Sequence, residues 1–139
     1  MAITGAAGTV SDNTFRNTGG LALDFDGDGA YTITGNSFNG GVASTQGSLA
    51  FDGGSATSVV TVSNNDLNDS GIGLGRPRVN VQDNDFDYVE RARPGSGNIE
   101  FVSDFTSAAV YDLNAVLAAN DFSPAAVVSG RNIQIAPAQ

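Results

Sequence analysis

Short alternations of apolar and polar residues, rather than a sustained 3.6-residue period, run through this chain. The clearest is VNVQDNDF at residues 79–86, and its pattern returns four more times, at residues 9–15, 32–38, 61–67 and 116–122. In every copy an aliphatic residue stands three positions before an Asn, and a Phe or Leu stands two after it. The repeated residues are Asn13, Asn36, Asn65, Asn84 and Asn120, separated by 23, 29, 19 and 36 positions. A repeat of about 20–50 residues indicates a solenoid or array, and a spacing this loose puts the length variation in loops. Between the copies lies a second apolar segment, at residues 21–23, 49–51, 72–74, 99–101 and 127–128, which reads in, out, in, as a strand with one buried face does. Residues 132–135, NIQI, read as one more strand of the first kind.

Two short strands per turn with turn residues between them predict an all-β chain, a right-handed parallel β-helix of about five to six coils. Each inward position then becomes a column. Val10, Ile33, Val62, Val81, Leu117 and Ile135 make one, and Phe15, Phe38, Leu67, Phe86 and Phe122 make another. The repeated Asn is expected to adopt a left-handed backbone at the turn and to hydrogen-bond to its copy one coil away. Residues 112–119 are the one stretch with a helical look, and the repeat places them inside the coil.

The V-x-x-N-x-F coil followed by an I-x-L or L-x-F strand resembles the repeat of pectate-lyase-like β-helix proteins over roughly residues 8–135. That resemblance implies the fold. It leaves function open, because such folds serve polysaccharide lyases, hydrolases and epimerases as well as tailspikes and adhesin stalks.

Composition narrows the chemistry. The length suits a single β-helix domain, 1–139, and the absence of a basic, apolar leader suggests either a segment of a longer protein or export by a route that uses no such leader. The chain has no Cys, His, Lys or Trp, which removes disulfides, thiolates, imidazole and Schiff bases. Fifteen acids against six Arg give a net charge of −9, a surface that repels nucleic acid. No apolar run is long enough to insert into a membrane as a helix. With neither Lys nor His, an Arg base with acidic calcium ligands is the only lyase-like set left, and no catalytic residue is assigned.

Three candidate sites remain. Arg76, Arg78, Tyr88, Arg91 and Arg93 cluster at and before the longest loop, as a patch for a glycan or acidic polymer, or as simple partners for Asp83, Asp85, Asp87 and Glu90. Asp24, Asp26 and Asp28 alternate with Phe25 and Gly27, as either a calcium loop or an Asp/Gly turn. Thr9, Ser11, Thr32, Thr34, Thr61 and Ser63 flank the inward column in two hydroxyl ranks. The expected role is that of an extracellular stalk, spacer or adhesive module on a cell surface, with polysaccharide processing as the alternative. The expected partners are other β-helix segments or a second copy, joined end to end through uncovered strand edges into a fibre.

Overall fold

The computed structural model describes residues 1–5, 7–16, 22–40, 49–52, 58–68, 70–75, 78–87, 98–101, 111–123, 126–129 and 132–135. Three parallel sheets run along it. Sheet A takes β1 (Ala2–Thr4), β4 (Leu23–Asp26), β7 (Leu49–Asp52), β10 (Ile72–Leu74) and β13 (Ile99–Phe101). Sheet B takes β2 (Ala7–Ser11), β5 (Ala30–Thr34), β8 (Val60–Ser63) and β11 (Val79–Gln82). Sheet C takes β3 (Thr14–Arg16), β6 (Ser37–Asn39), β9 (Asp66–Asn68), β12 (Asp85–Asp87) and β14 (Asp121–Ser123). The chain visits A, B and C in turn, so each coil lays its strands beside those of the coil before. This is the right-handed parallel β-helix.

Each of the first four coils thus has three strands where the sequence suggested two. The long first segment breaks at a corner between sheets B and C. At that corner Asp12, Gly35, Asn64 and Asp83 take φ values of 57°, 67°, 54° and 54°. The left-handed residue is therefore the one preceding the repeated Asn. Gly, Asn and Asp are the residues that reach this conformation at least cost.

The columns follow the predicted register, through four coils in sheet B with Val10, Ile33, Val62 and Val81, and through five in sheet C with Phe15, Phe38, Leu67, Phe86 and Phe122. Sheet A contributes Leu23, Leu49, Ile72 and Ile99, with Phe25, Phe51 and Leu74 beside them. These residues form one buried core, with Phe25, Phe38, Phe51 and Phe86 fully enclosed. Parallel pairing in register stacks identical rings face to face: Phe15 on Phe38 at 4.8 Å and 5°, Phe25 on Phe51 at 5.1 Å and 14°, Phe86 on Phe122 at 4.8 Å and 6°. That spacing is the strand separation itself.

Three expectations need correction. The first sheet A segment lies two residues later than residues 21–23, because Leu23 and Phe25 are the pair that matches Leu49 and Phe51. The sheet B column stops at Val81: Leu117 lies in a helix, α1 (Leu113–Ala118), which takes the place of a fifth strand. Asp112 caps it, its Oδ1 accepting from Asn114 N and Ala115 N at 3.1 Å, and Leu and Ala are good helix formers. Where the other corners place Asp, Gly or Asn, this coil has Ala119 in a right-handed conformation, which suits the end of a helix. Ile135 does not join that column either. β16 (Asn132–Ile135) turns back antiparallel against β13, and β15 (Ala126–Ser129) pairs antiparallel on its outer side. Among the described residues the C-terminal end is thus stepped, with a helix on one side and an extra hairpin on another.

Candidate functional site

The repeated Asn residues line up at the B–C corner and form a ladder. The backbone N–H and Nδ2 of each donate to the Oδ1 of the next: Asn13 to Asn36 at 3.0 and 3.1 Å, Asn36 to Asn65 at 3.0 and 3.1 Å, Asn65 to Asn84 at 3.1 and 2.9 Å, Asn84 to Asn120 at 3.0 and 2.9 Å. Each Nδ2 also reaches main-chain carbonyls. Asn36, Asn65, Asn84 and Asn120 donate to Val10, Ile33, Val62 and Val81 of the preceding coil at 2.9–3.0 Å. Asn13, Asn36, Asn65 and Asn84 donate to the carbonyl two residues back, while Asn120 reaches Val116 in α1 instead. All but Asn13 are buried. The left-handed residue before Asn13, Asn36, Asn65 and Asn84 turns the side chain inward along the axis, which is how a polar amide comes to sit in an apolar solenoid with its groups satisfied.

The carboxylates read as a calcium site are not brought together. Asp24 and Asp26 lie on β4, a strand and not a loop, with Phe25 between them pointing into the core; Asp28 is exposed in the turn that follows. Among the described residues no group of three acidic side chains is placed to hold a metal ion. Asp24 Oδ1 is buried and has no hydrogen-bond partner among the described residues.

Of the Arg-rich patch, Arg76, Tyr88, Arg91 and Arg93 lie outside the described residues. Arg78 is exposed just before β11, with φ +60°. It lines a cleft of about 450 Å³ between β11 and α1, together with Tyr111, Asp112 and the apolar side chains of Val59 and Val116. Tyr111 Oη accepts from Val79 N at 3.3 Å across this gap. Tyr111 and α1 are the part of this cleft that the repeat pattern conceals, because it reads 116–122 as one more coil. The signal that could have found them is the absence of a left-handed former before Asn120, together with Asp112 as a helix cap.

The outward face of sheet C carries a second cluster. Register stacks Asp66, Asp85 and Asp121 in one rank. Partial burial, and then repulsion from Asp66, Asp121 and Asp87, push the Asp85 carboxyl above the ordinary 3.8. On sheet B the hydroxyl ranks align as expected, Thr9 with Thr32 and Thr61, and Ser11 with Thr34 and Ser63.

No protein-family model matches this chain, and neither a curated protein nor a solved structure matches it.

Proposed function

We propose that this chain is a structural module, a β-helical stalk, spacer or surface-presenting segment of an extracellular, adhesive assembly. The observation that carries the reading is the Asn ladder, four links long, in register with the Val/Ile column of sheet B on one side and the Phe/Leu column of sheet C, with its stacked rings, on the other. Repetition of identical contacts along one axis yields a stiff rod whose length grows with coil number, which is the property a spacer needs. The place among pectate-lyase-like β-helices rests on the V-x-x-N-x-F repeat and the three parallel sheets. Partners of the same architecture are supported by the N-terminal end. There β1, β2 and β3 each stand first in their sheets, and Ile3, Val10 and Phe15 are only partly buried against the core.

Polysaccharide processing is the competing reading, and turnover separates the two. The full chain is incubated with pectate, alginate and neutral glycans, with and without calcium, and products are followed by ultraviolet absorbance and reducing ends. A structural module leaves every polymer intact. Cleavage or epimerisation that depends on Arg78 overturns the proposal.

A further inference from the structure

Sheet B ends at β11, and the outer edge of β11 is already engaged. Val60 N of β8 donates to Arg78 O at 3.0 Å, so Arg78, Asn80 and Gln82 turn their main-chain groups towards β8, while Val79, Val81 and Asp83 turn theirs away from it. On that far side Tyr111 Oη accepts from Val79 N at 3.3 Å, Asn120 Nδ2 donates to Val81 O at 3.0 Å, and Ala119 O accepts from Asp83 N at 2.6 Å. All three partners come from residues 111–120, the segment that holds α1. The contact to Asp83 repeats one made at an earlier corner, where Gly35 N donates to Asn64 O at 3.1 Å. The other two are made by side chains in place of a strand.

α1 is a weak helix by itself. Its six residues fall short of the about 12–15 that an isolated helix needs in water. Leu113, Val116 and Leu117 pack against the core, and Asn114, Ala115 and Ala118 are exposed. Counted back from the ladder Asn, Ala115 to Ala119 stand where the third coil has Val60 to Asn64, so the segment keeps the register of a strand. A helix differs from a strand in what it shows on its outer side. Its main-chain groups point along its own axis and leave no row of donors and acceptors facing outward, which is the row that templates pairing with another chain. Sheet B needs such a cover more than sheet C, because its strands run to four or five residues against three.

We infer that residues 111–120 are an edge cap that closes sheet B to a strand from a second copy of this chain. The inference rests on the reading of the chain as a stacking module, and it makes the two ends of the stack unlike. Strands β1, β2 and β3 remain first in their sheets at one end, while at the other the cap stops sheet B from being extended.

The test compares the full chain with two variants by sedimentation velocity and amide hydrogen exchange. One grafts the β8 sequence onto the segment, as Ala115→Val, Val116→Thr, Leu117→Val, Ala118→Ser and Ala119→Asn, which supplies a left-handed former before Asn120. The other, Ala118→Pro, breaks α1 from an exposed position. Across micromolar concentrations both variants are expected to exceed the mass of a dimer, more than about twice the monomer, while the wild type does not. Exchange protection should grow with concentration at residues 115–119 in the graft and at Val79 and Val81 in the proline variant. The inference is overturned if the wild type itself grows past a dimer with protection appearing at residues 79–83. It is equally overturned if the graft, with residues 60–63 as protected as in the wild type, stays at wild-type size. Should the graft fail to fold, Ala118→Pro decides: wild-type size with freely exchanging amides at residues 113–118 overturns the cap. Turnover of a polysaccharide would sink the stacking-module reading and leave these outcomes as they stand.

Discussion

At the scale of single residues, the ladder Asn and the residue before it divide the work of the corner. The Asn satisfies main-chain and side-chain groups of two neighbouring coils, so its loss strands partners that no water reaches. Asn65→Val and Asn84→Val are each expected to cost about 1–3 kcal/mol for every buried group left unpaired. Asn39→Val should cost less, because Asn39 is only half-buried and bonds only to Ser37 Oγ among the described residues. Urea denaturation checks the order, and equal midpoints for the three variants count against the ladder as a source of stability. The preceding residue matters for its backbone alone. Asn64 is exposed with φ 54°, so Asn64→Val should cost about 1–2 kcal/mol while Asn64→Gly stays close to wild type.

At the scale of elements, the same register that stacks Phe rings in the core stacks carboxylates outside. Asp85 sits between Asp66 and Asp121 on sheet C, and its pKa is raised in the folded chain. Folded Asp85 therefore holds its proton at a pH where the unfolded chain has released it. In the window from the raised value down to the ordinary 3.8, stability rises as pH falls. Asp85→Asn should remove part of that pH dependence and raise the melting temperature at pH 7. The gain is small, about 0.2–1 kcal/mol, since the side chain is largely exposed to solvent. A melting temperature lower than wild type at pH 7 would contradict the account. Helix α1 depends on its cap in a comparable way: Asp112→Ala should cost about 0.5–2 kcal/mol and speed hydrogen exchange in residues 113–119 before any other region.

At the scale of the whole molecule, the two ends differ. The N-terminal ends of the three sheets are level, each beginning with a strand of the first coil. The C-terminal end is stepped, because sheet B stops at β11 beside α1 while sheet A extends through β16 and β15. A level face does not fit a stepped one in ladder register, so association through the strand edges should join two N-terminal ends and close as a dimer without propagating. Sedimentation velocity across micromolar concentrations should show a monomer–dimer equilibrium, with amides of β1, β2 and β3 gaining protection as dimer forms. Filaments in electron micrographs would show that the C-terminal hairpin and helix give way; a monomer at all concentrations would refute the contact.

Most of the architecture was legible in the residues. Five copies of one offset, aliphatic then Asn then Phe or Leu, determined a stacked coil of parallel strands, its inward columns and the identity of the ladder, because in-register parallel pairing requires like residues at like positions. The first sheet A segment slipped by two residues because Leu21–Ala22–Leu23 and Leu23–Asp24–Phe25 alternate equally well, and only pairing against Leu49 and Phe51 chooses between them. Two features needed the tertiary structure to decide between local patterns. Residues 113–118 carry the repeat's apolar spacing and also a helix cap and helix-forming side chains; with no left-handed former at Ala119, packing against the end of the core chose the helix. Ile133 and Ile135 have the alternation of any strand, and alternation does not encode direction, so whether they continued sheet B or folded back on sheet A depended on which edge remained open once α1 had taken its place. The cleft at Arg78 is a product of that choice. It exists between an edge and a helix far apart in the sequence, and no local pattern in either one specifies the gap.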